Sequence, residues 1–456
     1  MPTKVSYQDF TCVQSEEELL KVMDECLKQK KGIRVIGSAW SWNKIIEADD
    51  QSINIMLRGR LSTRCDVDVK KSTAVVAGGT MICTFIKKIH DEKIALQWEP
   101  KGYCFSPDES QVFAGFIANN VHHNYTPTAY EYVDFVDVGV YQNGKAVIVR
   151  ASRTDHRDLF ESIFGGVGFT GIIVNVGLRL TPAAYFTRRV TRTGDAGRGK
   201  KEWLLGVLKP NTWSYFFTNG GRYEVLYERC PQKVVDAKDF AAGMADQPSF
   251  YNFKRAIVKV LAFLNLGLKR EQGLVRLLEY NVGLDATSGK DLPYYVSHSW
   301  LSTRTAPKLN KKQVIDLDVV LDCSLQVRIP DFDRFLDILF RYIPNMYVFM
   351  VSRFIPKCGG GIVPFNDTED FIAIDLLGIQ SERNTSGLQN ALKDCEKEGV
   401  QIGVHTGKAF LGVYPAVRES LVPEKRKRLR AIKQQYDPQN VFDGGKVKFE
   451  QIYSLA

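Results

Sequence analysis

The sequence predicts an α+β fold on three observations. Short strand-like runs at Ser52–Met56 and Ala74–Ala77 lie between segments of helical periodicity. Tyr132–Tyr141 and Lys145–Val149 flank Gln142-Asn143-Gly144, whose Asn-Gly pair is a hairpin signal. Ile172–Leu180 alternates apolar and polar residues as a half-buried strand does, and ends at Thr181-Pro182.

Taken in order, Leu19, Leu20, Val22, Met23 and Leu27 recur at helical spacing across 16–30, and Gly32 is expected to stop that helix. The β-branched run Ile33-Arg34-Val35-Ile36 then enters a bend of small residues, Gly37-Ser38-Ala39, followed by Trp40-Ser41-Trp42. A helix is predicted over Met81–Asp91 and another over Asp158–Phe164. Beyond 183 the pattern mixes strands (Val319–Val327, Phe371–Leu377) with helices such as Asp331–Arg341. From Gly403 onward come a compact motif region, a basic helix and a turn at Tyr436-Asp437-Pro438. No internal repeat is visible. With 456 residues the chain exceeds one ordinary core, and the pattern divides at 1–182, 183–400 and 401–456.

Composition narrows the function classes. A chain with 44% hydrophobic and 25% charged residues is globular in type. The net charge of +9 is modest for this length, and the basic run Glu424-Lys-Arg-Lys-Arg-Leu-Arg430 sits in a helical pattern as a solvated face would. Without interleaved aromatic platforms or a reader motif, nucleic acid is not an expected partner. Nine cysteines are scattered singly with no Cys-x-x-Cys or Cys/His spacing, so no metal site is expected and a reducing, cytoplasmic or other intracellular compartment is. The N-terminus lacks the apolar core of a signal peptide. The most lipophilic segment, Ala256–Leu268, flanked by Lys254-Arg255 and Lys269-Arg270, reads either as a buried helix or as a peripheral membrane contact through 254–270.

Gly166-Val-Gly168-Phe-Thr-Gly171 fits the G-x-G-x-x-G dinucleotide fingerprint, but its setting is inverted. That fingerprint needs a strand before the glycines and a helix after them, so that the pyrophosphate meets the helix N-terminus. Here a helical pattern precedes and a strand follows, which argues against a nicotinamide fold. Three small-residue bends nevertheless let backbone amides approach a flat or anionic ligand closely: Gly37-Ser38-Ala39, Gly115 through Asn120, and Gly165 through Gly171.

In order and spacing this set resembles the FAD-binding domain of the vanillyl-alcohol oxidase superfamily and, within it, the aldonolactone and alditol oxidases. Val35 through Ile45 is similar to the family's pyrophosphate loop, and Val75-Val-Ala-Gly-Gly-Thr80 to its next strand and turn. Gly115-Phe-Ile-Ala-Asn-Asn-Val-His122 resembles the segment ending in a histidine beside the flavin, and Gly165 through Ile173 the flavin-cradling loop. Near the C-terminus, Val404-His405-Thr406-Gly407-Lys408 resembles a His-x-Gly-Lys motif, and Tyr436-Asp-Pro-Gln-Asn-Val-Phe442 a closing Asp-Pro…Phe signature.

The resemblance implies a PCMH-type, two-subdomain FAD-binding domain, a substrate or cap domain with an antiparallel sheet, and a C-terminal segment returning to the flavin. It implies that FAD is bound by Ile36, Gly37, Ser38, Ala39, Trp40, Ser41, Trp42, Gly115, Ala118, Asn119, Asn120, His122, Gly166, Gly168, Gly171, Ile173 and Lys408. Many relatives carry, at the position of Trp40, a histidine bonded to the flavin. A tryptophan cannot form that bond, so noncovalent FAD is expected, a link through Cys104 being the alternative.

Oxidation of a carbinol requires loss of the hydroxyl proton and stabilisation of the developing oxygen. The resemblance implies Lys408 as the cation beside flavin and substrate oxygen, and Arg353 as the substrate-side arginine, whose fork suits paired oxygens. His405 is expected to accept the proton or orient the hydroxyl. Of the adjacent His122 and His123 only one can face the flavin, and the alignment favours His122, with an ordinary core histidine as the competing reading. Relatives often carry a glutamate two residues before the arginine, where this chain has Val351. The expected substrate is a small, sugar-derived alcohol or aldonolactone. A lipid-linked sugar or sterol-like substrate, or a flavin-fold binding protein without turnover, stands as the alternative.

Overall fold

The computed structural model describes residues 5–6, 10–38, 41, 44–82, 84–85, 98–100, 111–122, 128–182, 184–194, 214–217, 221–234, 291–293, 314–315, 320–346, 348–361, 369–379, 381–405, 407–408 and 423–453. Ala39, Trp40, Trp42, Cys104, His123, the 254–270 segment and most of the expected Met81–Asp91 helix lie outside them. Among the described residues, no helix is long and apolar enough to cross a membrane.

The N-terminal part begins with a three-stranded parallel sheet. Strands β1 (Phe10–Val13) and β2 (Gly32–Val35) both pair with β3 (Ser52–Leu57), and helix α1 (Glu16–Gln29) connects the first two. Ser15 caps α1 by accepting the Glu18 N–H at 3.2 Å, while Glu18 accepts the Gln14 N–H at 2.7 Å. Gly32 does not end this helix, contrary to the sequence expectation. Lys30 adopts the left-handed conformation at φ 53° and Lys31 N–H bonds the Cys26 carbonyl. Gly32 is needed for another reason: a Cβ there would lie 2.5 Å from the Gly444 Cα.

A larger antiparallel sheet follows in the order β4 (Cys65–Asp68), β5 (Thr73–Ala77), β8 (Ile172–Pro182), β6 (Val133–Gln142) and β7 (Lys145–Ser152), with Trp98–Pro100 also pairing β8. The β6–β7 hairpin turns at Asn143 and Gly144, whose φ values of 51° and 73° are the pair a two-residue hairpin turn requires. Helix α2 (Phe113–Ala118) and helix α3 (Arg157–Ile163) cover this sheet through Phe113, Phe116, Leu159 and Phe160. The segment from Gly115 is therefore helical as far as Ala118, where a loop was expected.

A second sheet runs β9 (Ser214–Phe217), β11 (Val348–Ile355), β12 (Phe371–Ile379), β10 (Val320–Arg328), β13 (Ile402–Val404), antiparallel throughout. One face is closed by α4 (Ile329–Tyr342) and α5 (Glu382–Lys397), which bury Phe335, Leu336, Leu339, Leu388 and Leu392. A further antiparallel group joins Ala184–Gly194 to Gly221–Val234 and Asp291–Pro293. Helices α6 (Pro423–Tyr436) and α7 (Phe449–Tyr453) return the chain to the first part. Tyr453 there donates to the Gly165 carbonyl at 2.9 Å, and Lys446 pairs with Glu47 at 2.7 Å.

Candidate functional site

The small-residue bends are tied to one another by main-chain bonds. Gly78 N–H donates to Val174 O at 2.7 Å, and Ala114 N–H donates to Gly78 O at 2.8 Å, which fixes the start of α2 against β8. Gly78 must be bare, because a Cβ would sit 2.3 Å from the Ile173 carbonyl oxygen. Val167 N–H donates to Ala118 O at 2.9 Å, fastening the Gly165–Gly171 bend to the end of α2. Arg34, buried on β2, donates to Val167 O at 2.8 Å and lies over the Phe169 ring at 4.9 Å, joining the first bend to the third. Burial lowers the Arg34 pKa to about 10, so it stays cationic at neutral pH.

The bends and the second sheet line one cavity that is partly open to solvent. Of the residues expected at a cofactor, Ile36, Gly37, Ser38, Ser41, Gly115, Ala118, Asn119, His122, Gly168, Gly171, Ile173 and Lys408 line it. Asn120 and Gly166 do not. Asn120 is buried in a left-handed turn at φ 46°, and Gly166 packs so closely that a Cβ would lie 1.9 Å from Ser162 O. The helix–bend–strand order around Gly165–Gly171 is as the sequence implied, with α3 before it and β8 after it.

The opposite wall is polar. Arg353 on β11 and Asp375 on β12 form a 2.6 Å ion pair, 13% and 2% exposed at their side chains. The register explains the meeting: Val351 pairs with Asp375 and Arg353 with Ala373, making Arg353 and Asp375 diagonal neighbours on one face. Asp375 is absent from the sequence expectations. Its one signal is a carboxylate in the apolar run Phe371-Ile-Ala-Ile-Asp375-Leu-Leu. Burial opposes its charge, but Arg353 and then Lys408 hold its pKa below the ordinary carboxylate range. Arg34 and Arg58, also missing from those expectations, line the same cavity.

His122 and His405 meet beside this pair, with ring centroids 5.4 Å apart. His122 Nδ1 lies 3.1 Å from the Asn120 carbonyl oxygen, which can only accept, so Nδ1 carries the hydrogen. Its Nε2 has no hydrogen-bond partner among the described residues. His405 is the reverse: Gly407 N–H donates to its Nδ1 at 3.1 Å, leaving the hydrogen on Nε2. Of the two roles expected of His405, accepting the proton or orienting the hydroxyl, this geometry leaves the second, because its basic nitrogen is already engaged. Burial foremost, with Arg353 next, lowers the His122 pKa to about 4. Burial, then His122 and Lys408, lowers that of His405 well below the usual value. Both rings are neutral at pH 7.

The C-terminal segment clamps the third bend. Lys433 on α6 pairs with Asp437 at 2.6 Å, their side chains 4% and 0% exposed, and also reaches Phe169 O at 3.3 Å. Asp437 accepts the Val441 and Phe442 N–H groups at 2.7 and 2.9 Å.

Against known proteins, the model for berberine and berberine-like proteins matches residues 424–444, the segment of this clamp. No curated protein sequence matches the chain. Among solved structures, a cholesterol oxidase from Brevibacterium sterolicum superposes with a TM-score of 0.68 at 10% identity, over 99% of this chain and 97% of that one. The fold is that of these oxidases. A mutant of the Brevibacterium sterolicum enzyme gives 0.67 at 10% identity, over 96% and 95% of the two chains. A solvent-stable cholesterol oxidase gives 0.66 at 14%, over 96% of each.

Proposed function

We propose that the chain is an FAD-dependent oxidoreductase that removes hydride from the carbinol carbon of a carbohydrate-like alcohol or aldonolactone. The observation that carries this reading is the convergence on one cavity of the small-residue bends with Arg353, Asp375, His122, His405 and Lys408. The likeness of the fold to the cholesterol oxidases, and the match of 424–444 to berberine-like proteins, support it.

The residues present fit FAD. Among the described residues that line the cavity, Arg34, Arg58, Arg353 and Lys408 stand against the one carboxylate of Asp375, an excess of positive charge suited to a pyrophosphate and to a reduced flavin. Gly37, Ser38 and Ser41 would hold the pyrophosphate, while Gly168, Gly171 and Ile173 would hold the ring system. With no histidine at Trp40, the attachment is noncovalent. Bound FAD supplies the two-electron acceptor. Arg353, fixed by Asp375, binds the substrate's oxygens, and Lys408 offsets negative charge developing beside them. Residues 1–182 form the FAD-binding part, 183–400 the substrate part, and 401–456 the segment returning to the flavin. The chain works in a reducing, intracellular compartment.

The polar wall favours a polyhydroxylated substrate. The solved neighbours, named as cholesterol oxidases, favour a sterol-like alcohol as the second reading. An anaerobic screen of aldonolactones, sugar alcohols and sterols, read by loss of flavin absorbance, tests both. Bleaching by a lactone or sugar alcohol supports the first reading, bleaching by sterols alone supports the second, and protein that takes up no FAD overturns both.

A further inference from the structure

His122 and His405 are neutral imidazoles on one cavity wall, in opposite tautomers. His122 lends its Nδ1 hydrogen to the Asn120 carbonyl and keeps a lone pair on Nε2. His405 lends its Nδ1 lone pair to the Gly407 amide and keeps a hydrogen on Nε2. One acceptor and one donor in rings 5.4 Å apart match the two needs of a hydroxyl, which must give one hydrogen bond and receive one.

We propose that this pair is the hydroxyl subsite: Nε2 of His122 accepts the hydroxyl hydrogen of the substrate alcohol while Nε2–H of His405 donates to the same oxygen. The assignment rests on the proposed oxidation for the identity of that alcohol. In the proton step the O–H bond breaks and an N–H bond forms on His122, giving an alkoxide-like oxygen and an imidazolium. The alkoxide oxygen is held by His405 Nε2–H, with the cations of Arg353 and Lys408 nearby. Among the described residues acting on His122, Asp375 favours the imidazolium, whereas Arg353 and Lys408 oppose it. The Asn120 carbonyl keeps the ring oriented throughout.

Two measurements test this. In the first, ¹⁵N-histidine-labelled wild type is examined at pH 7 by long-range ¹H–¹⁵N correlation, with His122→Asn and His405→Asn used for assignment. The expected spectrum has His122 protonated on Nδ1 and His405 on Nε2. His122 on Nε2, His405 on Nδ1, or either ring cationic overturns the proposal, whatever the protein oxidises. In the second, His122→Asn keeps a donor for Asn120 but removes the base. Saturated with FAD, it is expected to reduce the bound flavin at least about 100-fold more slowly than wild type, with little change in substrate KM. Reduction within threefold of wild type overturns the role. Failure of the wild type itself to bind FAD is a different result, which sinks the flavin reading.

Discussion

Lys433→Met should destabilise the protein in a pH-dependent way. The substitution keeps the packing volume but removes the cation 2.6 Å from Asp437, whose side chain is fully buried. Breaking a buried pair from one side costs about 3–5 kcal/mol. Burial already pushes the Asp437 carboxyl up, with Lys433 and the Val441 and Phe442 amides pulling against it. Without the lysine the largest influence opposing that burial is gone, so the folded pKa rises further above the unfolded value. A raised carboxylate pKa makes stability fall as pH rises from the unfolded value through the folded one. The penalty should therefore shrink as pH falls from 7 to 5. Urea denaturation of wild type and variant at pH 5, 6 and 7, followed by far-ultraviolet circular dichroism, reads the difference. A loss under 1 kcal/mol, or one that does not change with pH, would refute the reasoning.

Other outcomes follow from the same geometry. Asp375→Asn leaves the Arg353 guanidinium buried without its carboxylate and should cost about 3–5 kcal/mol at pH 7. Because the folded pKa of Asp375 is depressed to about 2, its contribution is present above the unfolded value and lost as pH falls through the folded one, so the urea midpoints of wild type and variant should begin to approach each other below about pH 4 and meet only near pH 2. Lys408→Met should retain FAD while slowing its reduction more than about tenfold in anaerobic stopped flow; unchanged kinetics would remove Lys408 from the site. Gly171→Ala places a Cβ 2.5 Å from Val138 Cγ1 at φ 156° and should weaken FAD uptake in an absorbance titration.

How much of this was legible depends on the range over which each feature is decided. The Asn143-Gly144 hairpin and the helix–bend–strand order at Gly165–Gly171 are written locally, in residues that permit positive φ or close backbone approach. The end of α1 was misread because Lys30 takes the left-handed position, while Gly32 answers to Gly444, over 400 residues away. Asp375 looked like one polar residue in an apolar strand, and only the register of β11 against β12 makes it the partner of Arg353. The exchange of roles between His122 and His405 is set by which backbone group each Nδ1 meets, a tautomer choice that no spacing in the sequence records. Lys433 follows a basic run that reads as a solvated helix face, yet only 3% of it is exposed.

The central claim is that the bends near Gly37 and Gly168, helix α2 at Gly115 and the cation of Lys408 enclose one flavin nucleotide. Its most direct measurement is the flavin content of the purified, FAD-equilibrated protein after acid precipitation. The account predicts one FAD per chain, released into the supernatant because no covalent bond holds it. Protein that stays colourless at saturating FAD would contradict the account.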